Sequence, residues 1–295
     1  MRISGRSQDF ALENIIIKCY FQYYIKTKAA SGLAQEFFMK KIVLLAAALA
    51  LVAITGCKKS TVDIKGVSDL AGKKIGVQTG TTGELFVQEE VENANLVSFK
   101  SGIDAALDLK NGAIDCVILD ELPAQEIVKK NPSLKIIRDP YFNENKEEYA
   151  IAVKKGNTAL LSKIDETINA MKKNGDYEKL VNAFMPADGN IQIPASEATS
   201  GETVVLGTNA AFPPFEYVEG KKIVGFDITM GERIAKTAGM KLEVLDMAFD
   251  SLIPALQAGT IDFIAAGMSV TEERKKNVDF SVPYFASEQV IIVRK

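Results

Sequence analysis

The stretch Phe263-Ile264-Ala265-Ala266-Gly267-Met268-Ser269-Val270-Thr271-Glu272-Glu273-Arg274 reads as a buried strand that runs out into a turn and then starts a helix. Residues 261–266 are an apolar run of strand length. Gly267 and Ser269 interrupt the run, where the backbone becomes free to bind something. Thr271 is placed to cap a helix, and Arg274 follows three residues later. A guanidinium there offers a planar fork matched to a carboxylate. A lone arginine more often ends in a surface ion pair. What favours the site is that other parts of the chain supply groups for the same pocket.

The chain has 295 residues, a formal net charge of −3 and 47% hydrophobic residues. That length allows one large or two modest domains. The near-neutral balance gives no basic footprint for nucleic acid. There is no His and no Trp, so His-based triads and His-ligated metal sites are excluded. Cys19, Cys57 and Cys116 are too few and too scattered for a disulfide framework or a thiolate metal site. No metal and no cofactor is expected.

Residues 39–57 begin Met39-Lys40-Lys41, continue with the apolar run 42–54 and close on Thr55-Gly56-Cys57. This is the layout of a secretory signal, and the run is shorter than the ~20 residues of a membrane span. Ile54-Thr55-Gly56-Cys57 resembles the lipobox of bacterial lipoproteins, which makes Cys57 the expected lipidation site and membrane anchor. Residues 1–38 then precede the signal. They are expected to be an over-extended start, with Met39 the true one, or a disordered extension.

Beyond Cys57, strands and helices alternate. Strands are predicted at 74–77, 114–119, 135–138 and 149–153, and helices at 83–91, 102–109, 121–130, 158–173 and 176–184. Residues 186–202 have linker composition. The pattern restarts with strands at 203–206, 241–245 and 261–266 and helices at 225–238 and 249–257. One repeat is visible. Ala106-Leu107-Asp108-Leu109-Lys110-Asn111-Gly112-Ala113-Ile114-Asp115 parallels Leu256-Gln257-Ala258-Gly259-Thr260-Ile261-Asp262, each being a helix, a Gly stop, Ile-Asp and a buried strand. The fold class expected is α/β with two similar lobes, each a mostly parallel sheet flanked by helices. Ligands of such sheets lie off the carboxyl ends of the strands.

Those ends carry recognisable chemistry. Gln78-Thr79-Gly80-Thr81-Thr82-Gly83 leaves backbone N–H groups free at a helix start, which suits an anion. It lacks the Lys of a P-loop, which disfavours nucleotides. Asp120 follows a buried strand and could hold an ammonium group or cap the next helix. Asn209-Ala210-Ala211-Phe212-Pro213-Pro214-Phe215-Glu216-Tyr217 is a rigid aromatic loop in which Phe212 is a pocket candidate and Phe215 a core residue. Phe249 could face Phe212 across a ligand. An arginine with amide donors, an aspartate with carbonyls and two aromatic faces make an α-amino acid pocket.

These motifs, with Val224-Gly225-Phe226-Asp227, Met247-Ala248-Phe249-Asp250 and Asp279-Phe280-Ser281-Val282-Pro283-Tyr284-Phe285, resemble the family 3 extracellular solute-binding proteins. These are polar amino-acid-binding proteins of ABC importers with the type II periplasmic binding fold. Leu70-Ala71-Gly72-Lys73-Lys74-Ile75-Gly76-Val77 and residues 112–120 resemble the other lobe of the same family. The resemblance spans about residues 62–295. It implies that Arg274 binds the ligand carboxylate, assisted by Thr82 and Ser269, with Thr81 also among the ligand-binding residues. Asp120, the Gly267 carbonyl and Ser269 would take the α-amino group. Phe212 and Phe249 would stack on the side chain, and Asn209 and Gln78 would read it. The ligand implied is basic, arginine or lysine, with glutamine next. The partners implied are the permease subunits of an ABC importer, for a monomeric lipoprotein on the periplasmic or extracellular face of a membrane. A dehydratase-like enzyme and a ligand-binding sensor domain are the competing readings.

The order of the halves departs from the family. The half that should come second occupies 62–149 and the half that should come first occupies 150–295, made of helices 158–185, the linker 186–202 and a sheet half 203–295. The chain thus resembles a circularly permuted relative, or a truncated tandem copy. Permutation predicts two continuous lobes, a single crossover near 149–153 and chain ends at the hinge.

Overall fold

Alternating apolar strands and amphipathic helices must bury both faces of a parallel sheet, and here they do so twice. The computed structural model describes residues 63–196 and 201–295. The expected start at Met39, the signal at 39–57, the lipidation site Cys57 and part of the linker 186–202 lie outside the described residues.

The first lobe runs through β1 (Lys74–Gln78), α1 (Thr82–Glu90), β2 (Asn95–Phe99), α2 (Gly102–Asn111), β3 (Cys116–Asp120), α3 (Glu121–Lys130), β4 (Leu134–Ile137) and α4 (Pro140–Glu144). The chain then crosses through β5 (Glu147–Tyr149) into β6 (Ala152–Lys154). The second lobe holds α5 (Thr158–Asn174), α6 (Asp176–Phe184), β7 (Thr203–Thr208), β8 (Ala211–Phe212), β9 (Glu216–Glu219), β10 (Lys222–Val224), α7 (Phe226–Ala238), β11 (Lys241–Asp246), α8 (Leu252–Ala258), β12 (Phe263–Ile264), α9 (Glu272–Lys275) and β13 (Val278–Phe280). Finally β14 (Phe285–Ser287) leads back to β15 (Gln289–Arg294).

The two main sheets have the orders β2-β1-β3-β15-β4 and β11-β7-β12-β6-β13. In the first, β1 is parallel to β2 and β3; in the second, β7 is parallel to β11 and β12. Each sheet also takes in one antiparallel strand delivered by a crossing segment: β15 between β3 and β4, and β6 between β12 and β13. This is the two-lobed type II periplasmic binding fold. Both lobes fall within one compact unit, residues 61–295.

The expectation of a single crossover is corrected, and so is that of a continuous lobe over 150–295. There are two crossings, which pair with each other as β5 and β14. The reason is the apolar run Val290–Val293. Its four side chains are buried, which requires a sheet neighbour on each side and helices above and below. Only the gap between β3 and β4 provides them. The chain end is consequently not at the hinge: the Lys295 N–H donates to the Ser133 carbonyl at 2.9 Å, beside the start of β4.

The internal repeat has a structural basis. Gly112 and Gly259 each terminate a helix with φ near +77°, a conformation that favours glycine. Asp115 then accepts from the Lys74 N–H at 2.9 Å, and Asp262 accepts from the Val205 N–H at 2.7 Å. In both lobes the aspartate ties the entry of the buried strand to its parallel neighbour. The isoleucine before each aspartate packs over a glycine of that neighbour, Ile114 over Gly76 and Ile261 over Gly207.

Candidate functional site

The carboxyl ends of β1, β3, β7 and β12 open on one cleft of about 310 Å³. Gln78, Thr81, Thr82 and Asp120 line it from the first lobe. Asn209, Phe212, Phe249, Gly267, Ser269 and Arg274 line it from the second, so all ten residues singled out in the sequence meet there. Ala266 and Glu216, neither anticipated, complete the lining.

Arg274 owes its position to a single helical turn. Thr271 caps it, its hydroxyl oxygen accepting from the Arg274 N–H at 3.1 Å. Arg274 is only 8% exposed. Its Nη1 donates to the Ser269 carbonyl at 2.7 Å, and its Nη2 reaches across to the Gly80 carbonyl of the other lobe at 2.9 Å. Phe249 sits under it, with the ring centroid 5.4 Å from Cζ, a cation–π distance. Burial pulls the arginine's pKa down, and the negative charges of Glu147 and Asp120 oppose that pull.

Asp120 does not cap α3 with its side chain, so the capping alternative is set aside. Its carboxylate instead accepts from Gln289 Nε2 at 2.5 Å, because Gln289 lies directly opposite it in the β3–β15 ladder. Burial pushes the Asp120 carboxyl well above the usual carboxylate range and Glu147 adds to the push, while the Tyr149 hydroxyl and Arg274 oppose it.

A second bond between lobes joins Gln78 Nε2 to Asn209 Oδ1 at 2.9 Å. Asn209 is held by its own Nδ2, which donates to the Met247 carbonyl at 2.8 Å. Phe212 is stacked on Phe215, with centroids 5.9 Å apart. Phe215 is core, as expected, with its ring against Tyr149, Phe226 and Phe285. Gly267 has φ +54°, and a Cβ there would come within 2.7 Å of the Phe212 ring. Only glycine lets the chain pass beneath that aromatic face.

Sequence reasoning missed a buried acid pair. Glu216 is 0% exposed and follows Phe215 in the aromatic loop. Asp227 accepts from the Gly267 N–H at 2.8 Å and from the Tyr284 hydroxyl at 2.7 Å. When both acids are ionised, neither oxygen of Glu216 nor Oδ1 of Asp227 has a donor. A proton on one lets the two carboxyls bond to each other. Burial, with Asp227 close by, pushes Glu216 well above the usual range, and burial pushes Asp227 up to about 6. An acid between Phe215 and Tyr217 was the available signal. Also missed were Glu147 and Gln289 on the crossing strands, whose place follows only from the β5–β14 and β3–β15 registers.

The two lobes thus enclose a cleft lined by a buried arginine from one and a buried aspartate from the other. Residues 204–295 fit the model of the bacterial extracellular solute-binding proteins, family 3. That segment is similar to this family. The chain is similar to the arginine-binding extracellular protein ArtP of Bacillus subtilis. The identity is 47% over 92 residues, which is 31% of this chain and 36% of that protein. It is also similar to the ABC transporter arginine-binding protein 1 of Escherichia coli, at 37% identity over 139 residues, 45% of this chain and 55% of that one. The chain thus spans about a third to a half of the length of these curated relatives. A solved ancestral arginine-binding protein bound to arginine shares 55% identity over 29% of this chain and 38% of its own, with a TM-score of 0.28.

Proposed function

We propose that this chain binds a basic L-amino acid, arginine before lysine, between its two lobes and delivers it to an ABC importer. The carrying observation is that the Arg274 guanidinium and the Asp120 carboxyl, in residues 8% and 7% exposed, line one cleft from different lobes. A zwitterion satisfies both. Removing either side chain leaves one end of the zwitterion without its partner. Glu216 supplies a further buried acid in the same lining, which favours a ligand whose side chain is cationic. Phe212 and Phe249 are available to pack on its aliphatic part. Two relatives named for arginine binding support the same choice. The role is carriage rather than catalysis, and the lobes close on the ligand as a hinge.

Two parts of this reading concern the rest of the chain. Its halves are in permuted order relative to the family, since the motifs of residues 70–120 precede the matched segment 204–295. Cys57 carries the lipid that holds a monomeric receptor at the outer or periplasmic face of a membrane.

Thermal-shift measurement with each of the twenty amino acids tests the assignment. A ligand that binds only the folded state raises the melting temperature, by an amount that grows with its concentration over Kd. L-Arginine should give the largest or second-largest shift, and Arg274→Ala should abolish it. A shift retained in Arg274→Ala contradicts the assignment.

A further inference from the structure

Glu147 has no role in the reading so far, yet it sits at the centre of the site's hydrogen bonding. It is the first residue of β5, opposite Ser287 in the β5–β14 ladder. The strand is fixed on its other side as well, where the Val270 N–H donates to the Glu148 carbonyl at 2.8 Å and the Ala150 N–H to the Met268 carbonyl at 3.1 Å. From this anchored position Oε2 of Glu147 accepts from two hydroxyls, one from each lobe. Thr82 Oγ1 donates to it at 2.8 Å, and Ser269 Oγ donates to the same oxygen. Gln289 Nε2 links Glu147 Oε1, at 3.4 Å, to Asp120 and to Thr82 Oγ1, at 3.3 Å.

A hydroxyl has one proton to give and two lone pairs. With both protons committed to Glu147, the Thr82 and Ser269 oxygens have only lone pairs left for anything in the cleft they line. Two such oxygens, with the acceptor oxygens of Asp120 and Glu147 beside them, are a poor seat for a carboxylate and a good one for an ammonium group. We propose that Glu147 is a positioning residue that fixes the donor–acceptor polarity of this end of the cleft, so that Thr82 and Ser269 accept from the ligand's α-ammonium group instead of donating to its carboxylate. The carboxylate is left to Arg274. This inference rests on the amino-acid-binding reading and changes the part Thr82 plays in it.

The test compares two ligands on three proteins. L-Arginine and 5-guanidinopentanoic acid share the carboxylate and the guanidinium, and only the first has an α-amino group. Calorimetric titration of the full chain, of Glu147→Gln and of Glu147→Ala gives the preference for L-arginine over the analogue in each. Glu147→Ala should weaken L-arginine about tenfold or more, the scale of a lost charge-assisted hydrogen bond, and leave the analogue nearly unchanged. Glu147→Gln, which keeps one acceptor oxygen without the charge, should fall between and guards against a folding defect in the alanine variant. Equal weakening of both ligands would overturn the inference, because it would make Glu147 a hinge support only. Tighter L-arginine binding would overturn it too, because Glu147 would then be competing with the ligand's carboxylate. If the unaltered chain binds neither compound, the amino-acid reading itself fails and this inference falls with it. A preserved preference in both variants sinks the inference and leaves that reading standing.

Discussion

In the first lobe Gly112 ends a helix, Asp115 ties down the Lys74 amide, and β3 delivers Asp120 to the cleft. In the second, Gly259 ends a helix, Asp262 ties down the Val205 amide, and β12 delivers Gly267. The scaffolding chemistry is the same in both; the chemistry at the strand ends is not. One lobe presents an acid and a threonine-rich loop. The other presents an arginine, two aromatic faces and a second acid. Sheet interiors are constrained by packing and carboxyl-end loops are free to vary. The repeated part of each lobe is therefore its frame, and the unrepeated part is its site.

If the frame is truly shared, equivalent damage should cost the two lobes alike. A Cβ on Gly76 would lie 2.5 Å from Ile114 Cδ1, and one on Gly207 would lie 2.2 Å from Ile261 Cδ1. Each isoleucine is buried, so the methyl group has nowhere to move cheaply. Gly76→Ala and Gly207→Ala should each lose about 1–3 kcal/mol in urea unfolding, the range for overpacking a core. Adding Ile114→Val or Ile261→Val, respectively, should recover part of the loss by non-additivity between touching residues. A large cost in one lobe and none in the other would break the comparison.

The frame was legible in the sequence for a physical reason. Helix stops at Gly112 and Gly259, buried runs and the Ile-Asp pairs are local signals, and local signals survive without tertiary information. The ten candidate residues were legible because they follow strand ends, which is where this architecture puts its ligands. What the sequence hid was non-local. The run Val290–Val293 announces a buried strand but not that it returns to the first sheet. Glu147 and Gln289 meet the site only through strand registers that pair residues more than 130 positions apart. Glu216 was hidden because an acid in a loop is usually solvated, and its burial comes from packing beneath the aromatic cluster.

A smaller effect sharpens the contrast in buried charge. Asp227 is pushed up by burial to about 6, above the ~3.9 of an exposed aspartate. Between those values the folded chain keeps a proton that the unfolded chain has released. This contribution to stability is full below about pH 4 and is lost as pH rises through about 6. Lowering the pH from 7 to 5 should therefore add about 1 kcal/mol through this group. Asp227→Asn should remove that increment from the pH profile of unfolding. An unchanged profile in the variant would place the second lobe's titration elsewhere.

The most direct measurement of the central claim is a crystal structure of the full chain grown with L-arginine. The account predicts the ligand in the interlobe cleft, its carboxylate on the Arg274 guanidinium, its α-ammonium group at Asp120 and its side chain running between Phe212 and Phe249 toward Glu216. A ligand bound outside that cleft, or reversed so that its ammonium group faces Arg274, would contradict it.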